Sequence, residues 1–345
     1  MWTPEEETEL KTLYEAGADY DSIFIHFPNK TKDSIRSKCY RLTETENKEE
    51  VPIEVPPDVL QLYQESASSE EDDVSQLWDY YQKKNSKEIE KARTRQKFSI
   101  NFPSMQPIGL SFISDQHISG GTACDLQRMK ADAEYIRSTP GLYCCLVGDG
   151  IDNHIKHRAA MVTNSSSPDE QYQLYNYYLK ILQEKILVAI SGNHDLWTMD
   201  VSGVDMVKEL AHRNKIQYAV DEAHISITVG DTLYKLAFRH QYKMGSSYNQ
   251  THAVKQWLRL GDETFDIGAV GHHHEAALES FFYRGKETWV CRPGSYQITS
   301  PYASKYGFQL SVPTCPTFIL FPSRREIVGF SNLYHAGNFL NFLNN

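Results

Sequence analysis

Four short apolar runs in this chain each end in side chains that bind metals or move protons. Ile108–Ile113 leads into Ser114-Asp115-Gln116-His117, and Leu142–Val147 leads into Gly148-Asp149-Gly150-Ile151-Asp152-Asn153. Ile186–Ile190 opens onto Ser191-Gly192-Asn193-His194-Asp195, and Phe265–Val270 opens onto Gly271-His272-His273-His274-Glu275. Mixed carboxylate and imidazole donors suit Mn, Fe, Zn or Ni rather than an all-oxygen Mg or Ca site. A carboxylate shared between two such ions holds them about 3.5 to 4 Å apart.

The elements that must position these groups are legible in the same stretch. Short apolar runs bounded by Gly and polar residues predict buried strands. In open α/β sheets, sites collect beyond the carboxyl ends of such strands, so the four clusters are expected to meet at one crevice. Leu126, Met129, Ala133 and Ile136 predict a helix returning the chain to the second strand. Ser167-Pro168-Asp169-Glu170 is a capping box opening another, with Leu174, Tyr175, Tyr178, Leu179 and Leu182 on its buried face. These crossovers imply parallel neighbours. From Ile225 the pattern alternates, and Ile225–Val229 turns through Gly230-Asp231 into Leu233–His240, a hairpin that delivers another histidine. Thr288–Cys291 and Thr317–Phe321 read as strands, the latter pairing with Glu326–Phe330. Val74, Leu77, Trp78 and Tyr81 predict a helix that docks on the main domain.

The order Asp-x-His, Gly-Asp-x-x-Asp, Gly-Asn-His-Asp, a lone His and Gly-His-x-His resembles the calcineurin-like metallophosphoesterases over residues 98 to 335. The resemblance implies an α/β fold, a metallophosphoesterase-type β-sandwich of two mixed sheets flanked by helices. It implies two divalent metal ions, Mn foremost, with Fe, Zn or Ni as alternatives. Asp115, His117 and His274 would hold one ion, Asn193, His240 and His272 the other, and Asp149 would bridge them. The nucleophile would be a water bridging the ions, its pKa lowered by the pair. His194 follows a ligand directly and takes the role of general acid near the leaving-group oxygen, with Asp195 orienting its ring. Asp152 and Asn153 are expected to support the ligands or touch substrate, and His273 to point away. His26, His154, His157, His212, His224 and His335 are expected at the surface.

Protein serine/threonine phosphatases in this superfamily carry an Arg after the second Asp and a Glu after the Asn-His pair. Asn153 and Asp195 stand at those places here, which disfavours that branch. The Gly-Asn-His-Asp form resembles the SbcD-type DNA repair exonucleases and other phosphodiesterases. Arg239-His240, Gly245-Ser246-Ser247 and Arg292-Pro293-Gly294-Ser295-Tyr296 resemble phage-encoded members. The leading expectation is a two-metal phosphodiesterase acting on DNA. The alternatives are a nucleotide or small-molecule phosphodiesterase or phosphomonoesterase, and a DNA-binding regulator with an inactive esterase fold.

Residues 1–43 read as a separate three-helix unit. Thr3, Pro4 and Glu6 form a capping box, Leu10, Leu13 and Tyr14 face a small core, and Thr31 caps a third helix with Ile35, Cys39 and Leu42 on one side. Trp2-Thr3-Pro4-Glu5-Glu6 followed by this basic helix resembles the Myb/SANT-like helix-turn-helix modules. The resemblance implies DNA as a partner, reached in the major groove by Lys32, Arg36, Lys38 and Arg41. Residues 44–73 are acidic and interrupted by Pro52, Pro56 and Pro57, so a mobile linker is expected. Residues 74–345 then form the metallophosphoesterase domain. The basic run Lys91–Lys97 reads as a solvated edge, with one wall of a nucleic-acid groove as the alternative.

Composition narrows the classes. A 345-residue chain with formal charge −10 argues against nucleic-acid binding by its whole surface, so any such contact is expected to be local. No apolar run reaches the length of about 18 residues needed to span a membrane. The acidic, polar start argues against a secretory signal, and six cysteines at irregular spacing are expected to be reduced. These features predict a cytoplasmic protein, in the host cytoplasm if phage-encoded.

Overall fold

In this computed structural model the chain is described over residues 2–44, 73–90, 97–120, 123–155, 165–300, 304–305 and 310–345. It divides into two units, Met1–Lys83 and Lys84–Asn345.

The first unit carries the three expected helices, α1 (Pro4–Glu15), α2 (Tyr20–His26) and α3 (Lys32–Glu44). Thr3 and Glu6 complete the capping box reciprocally, each side chain bonding the other's backbone N–H. Thr31 Oγ1 accepts from Ser34 N–H at the start of α3. Leu10, Ile23, Phe27, Ile35 and Cys39 form the core, with Leu13 and Tyr14 at its margin. The Leu42 side chain, residues 45–72 of the expected linker and residues 91–96 of the basic run lie outside the described residues.

Residues 73–90 are helical, as their spacing predicts. Val74, Leu77, Trp78 and Tyr81 are between 50% and 72% exposed. The stripe is short, and Lys83, Lys84, Lys87, Glu88 and Glu90 make the remainder of the helix strongly charged. Among the described residues no helix is long and apolar enough to cross a membrane. No disulfide links the six cysteines, and five of them are buried.

Two six-stranded mixed sheets form the second unit. The first runs β1 (Lys97–Phe102), β6 (Glu222–Val229), β7 (Thr232–Arg239), β8 (Ile267–Val270), β10 (Lys286–Arg292), β9 (Ala277–Tyr283). The second runs β12 (Ile327–Phe330), β11 (Thr317–Leu320), β2 (Ile108–Ile113), β3 (Leu142–Val147), β4 (Ile186–Ile190), β5 (Gln217–Ala219). The helices Leu126–Ser138 and Pro168–Leu182 make β2, β3 and β4 parallel neighbours, and β6 and β7 form the expected antiparallel hairpin.

Burial follows the alternation of the strands. Ala223, Ile225, Ile227 and Val229 of β6 are buried while the residues between them are not. They meet Phe112, Phe238 and Phe318 between the sheets, where the three rings pack edge to face. The outer face of the second sheet is covered by Met129, Ala133, Ile136, Tyr175, Tyr178 and Leu340 from three helices. The outer face of the first sheet is covered by Val254, Trp257 and Leu258 of the helix His252–Leu260. The result is four layers, helix, sheet, sheet, helix, in which each fully buried Phe, Leu or Ile stabilises the fold by about 1.5 to 3 kcal/mol. Leu174, expected on the buried face of its helix, is 40% exposed, because Tyr175 holds the inward position.

The parallel order has one consequence for function. The carboxyl ends of β2, β3 and β4 lie together, and so do those of β7, β8 and β10.

Candidate metal centre

The loops leaving these strands are unusual in their backbone. Asp115, His117, Asp149, His272 and His274 all have φ between 44° and 74°. L-residues rarely adopt this left-handed region, and it costs about 1 to 2 kcal/mol per residue. Such strain concentrates at functional sites, where the surrounding structure imposes it. The loops impose it on one another, since Asp115 N–H donates to Gly148 O, His117 N–H to Asp149 O and Gly271 N–H to Arg239 O. Gly148 sits at φ 88°, and a Cβ there would lie 2.6 Å from Gly192 N and 2.8 Å from His240 Nδ1.

The seven expected ligands converge. Asp115, His117 and His274 form one group of donors, and Asp149, His240 and His272 form a second. Asp149 Oδ2 lies 3.0 Å from His240 Nε2 and 3.8 Å from His117 Nε2, so it faces both. Asn193 Oδ1 is 3.2 Å from His240 Nε2. In the other group His274 Nε2 lies 3.4 Å from Asp115 Oδ1 and 3.0 Å from His117 Nε2.

Four of the donors, Asp115, Asp149, His240 and His117, have a partner behind them. Asp115 Oδ2 accepts His272 N–H at 3.0 Å, and Asp149 Oδ1 accepts His194 N–H at 2.9 Å, which leaves the other oxygen of each for the cluster. His240 Nδ1 is 2.8 Å from Val147 O. A carbonyl only accepts, so Nδ1 carries a proton, and once the ring is neutral its Nε2 lone pair points into the group. His117 Nδ1 lies 3.3 Å from Asp152 Oδ1, at ion-pair distance though not aligned as a hydrogen bond. Histidine metal ligands are held from behind in this way.

A pair of divalent ions fits these residues. Asp115 Oδ1 is buried without a hydrogen-bond partner, which is costly unless a cation meets it. Burial alone would raise the Asp115 and Asp149 carboxyls, but the surrounding imidazoles outweigh it and hold both below the usual range. Burial pulls His240 down, and Asp149 more than reverses this, taking it to about 9. His272, desolvated and next to His240, falls to about 4 and stands ready as a neutral donor.

Around His194 the structure corrects one expectation. Its Nδ1 lies 2.6 Å from the Asp152 carbonyl, so Asp152, not Asp195, orients the ring. Asp195 instead accepts backbone N–H groups from Gly192 at 2.8 Å and from Gly150 and Ile151 at 3.3 Å. It is the third residue of the helix Asn193–Ser202, and its carboxylate turns back to cap that helix and ties it to the loop after β3. Desolvation and the nearby Asp149 push Asp195 up to about 7. Asn153 holds the same helix by donating from Nδ2 to His194 O at 2.7 Å.

Two further neighbours of His194 escaped the sequence reading. Trp197 stacks on its ring at 4.0 Å between centroids. The signal existed, since Trp197 lies three residues on in a helix and so shares a face with His194. His154, expected at the surface, is half-buried, with Nε2 3.2 Å from Asp152 Oδ1 and its ring 5.1 Å from that of His194. The loop after Asp152 folds back on the site, which no local pattern announces. His273 is exposed beside Gly245, and His157 lies outside the described residues.

In the three-helix unit, Lys32 is ion-paired with Asp21 and Lys38 with Glu7. The Arg36 guanidinium lies 5.5 Å from the Tyr20 ring. The side chain of Arg41 lies outside the described residues.

No protein-family model matches the chain, and no curated protein matches it. Similar solved structures include Vps29 of Chaetomium thermophilum, at 10% identity over 66% of this chain and 96% of that one, with a TM-score of 0.35. A metallophosphoesterase from Sphaerobacter thermophilus is similar at 13% identity over 64% and 87%, with a TM-score of 0.33. The sulfate thiohydrolase SoxB of Thermus thermophilus is similar at 10% identity over 70% and 60%, with a TM-score of 0.40. These likenesses are faint, and the chemistry of the site rests on its own geometry.

Proposed function

We propose that this chain is a metal-dependent phosphoesterase and, within that class, a phosphodiesterase that cuts DNA. The observation that carries the first part is Asp149 Oδ2, set between two groups of donors at 3.0 Å from His240 Nε2 and 3.8 Å from His117 Nε2. Asp115, His117 and His274 would hold one divalent ion and Asn193, His240 and His272 the other, with Asp149 shared and Mn the first candidate. When bound, such a pair polarises a phosphoryl group and makes water nucleophilic near neutral pH.

The residues around the pair do the rest. With its Nδ1 proton on the Asp152 carbonyl, His194 keeps Nε2 for the leaving-group oxygen. Burial holds the ring down at about 4, so His194 serves as an acid only where bound substrate raises it. Trp197 covers one face of the ring and fixes its plane. Asn153 fixes the backbone from which the ring hangs.

The DNA part is supported by the likeness of the three-helix unit to Myb/SANT-like modules. One observation favours a second reading, a nucleotide or small-molecule phosphoesterase. Lys32 and Lys38 are already paired with Asp21 and Glu7, and phosphate contact would have to displace those partners. The test sets wild type, Asp149→Asn and His194→Ala against labelled single- and double-stranded DNA and bis(4-nitrophenyl) phosphate, with Mn and with chelator. DNA cleavage by wild type with metal alone supports the nuclease. Hydrolysis of only the small diester moves the substrate to the second reading. No hydrolysis of any ester with Mn, Fe, Zn or Ni overturns both.

A further inference from the structure

We infer that Gln297 is a positioning residue of this centre, acting through Asp152; the inference rests on reading the centre as a metal site. Asp152 is fully buried and serves two partners at once. Its carboxylate Oδ1 stands 3.3 Å behind Nδ1 of His117, a proposed ligand, and its main-chain carbonyl accepts from Nδ1 of His194 at 2.6 Å. A shift of Asp152 therefore moves a metal ligand and the proposed proton donor together.

A buried carboxylate keeps its place only when donors compensate the lost water. Gln297 Nε2 donates to Asp152 Oδ1 at 3.2 Å, the oxygen that the partly exposed His154 also faces. Gln297 is itself fixed by its backbone. Its N–H donates to Ser295 Oγ at 3.0 Å, and the Ser295 hydroxyl donates to Asp115 O at 2.8 Å. Tyr296 N–H ends on the same carbonyl at 3.1 Å, and a bridge joins Gln297 to Cys124. The turn after β10 thus runs under the loops that carry Asp115 and Asp152, two motifs far away in sequence. A carboxamide suits the position because it donates a hydrogen bond without adding charge.

Partners behind a ligating histidine fix its ring and basicity, and their loss costs about 10- to 100-fold in metal affinity. Gln297 stands one step further back, so the lower figure applies. The experiment is a calorimetric Mn titration of the full chain as wild type, Gln297→Met, Asp152→Asn and the double variant. Gln297→Met is expected to bind Mn about 10-fold more weakly. Asp152→Asn is expected to lose more, and the double variant no more than Asp152→Asn alone, because coupled residues are not additive. If Gln297→Met does not fold, Gln297→Asn, too short to reach Asp152, replaces it with the same expectation. Wild-type affinity in the Gln297 variant, or losses that add in the double variant, overturn the role of Gln297 while leaving the metal centre standing. A wild type that binds no divalent ion overturns both.

Discussion

Asp149 and Asp115 divide their two oxygens in the same way. One oxygen accepts a backbone N–H from a neighbouring motif, His194 for Asp149 and His272 for Asp115, and the other is left to the cluster. The amide aims the carboxylate, and the motif that supplies the amide also supplies a functional side chain. His194 is aimed by a carbonyl instead, and its substitution is informative. His194→Ala should lower kcat by about 10²- to 10⁴-fold with Mn content unchanged. The loss should be largest for esters with the poorest leaving groups, and equal losses across leaving groups would contradict proton donation. His240 predicts the pH behaviour. Burial lowers its pKa, but Asp149 lifts it to about 9, so in the metal-free chain it carries a proton at pH 7. A ligand must be neutral, so Mn uptake at pH 7 should release protons and Mn affinity should rise as pH rises toward that value. Titrations in buffers of different ionisation enthalpy measure the release, and an apparent enthalpy independent of buffer would contradict it.

At the scale of elements, the loops after β2, β3, β4, β7 and β8 are built to touch. Gly192, at the start of the helix Asn193–Ser202, has φ −99°, which any residue can adopt, yet a Cβ there would run into the Asp149 carboxylate. Gly192→Ala should therefore cost about 1 to 3 kcal/mol, the usual cost of overpacking, and weaken Mn binding. Urea unfolding with a parallel Mn titration checks this, and unchanged affinity would show that the contact is absent. The strands before these loops were legible because β2, β3, β4 and β8 are continuous apolar runs, and the ligands were legible because each sits directly after its strand. The edge strand β9 was not legible, since its partly buried residues show no clean alternation. Asp195, His154 and Gln297 show where local reading ends. Their partners are Gly150, Asp152 and again Asp152, set by how separate loops pack rather than by spacing along the chain.

At the scale of the molecule, the metal centre is divided between the two sheets. Asp115, Asp149 and Asn193 follow strands of the second sheet, and His240, His272 and His274 follow strands of the first. The packing of Phe112, Phe238 and Phe318 between the sheets therefore sets the distance between the two halves of the ligand set. Phe318→Ala should destabilise the fold by about 3 to 5 kcal/mol, measured by urea unfolding. Added Mn should recover part of that loss, because an ion held by both sheets binds only the folded chain, about 2.7 kcal/mol at 100 times Kd. An unfolding midpoint unmoved by Mn in this variant would mean that the halves do not close on a common site.

The most direct test of the shared centre is the metal content and electron paramagnetic resonance spectrum of the Mn-loaded chain, beside Asp149→Asn. Two ions bridged by one carboxylate about 3.5 to 4 Å apart are magnetically coupled. Two Mn per chain with a coupled spectrum, lost in Asp149→Asn, is the predicted result. One Mn per chain, or two with the spectrum of isolated ions in wild type, would contradict a centre built around Asp149.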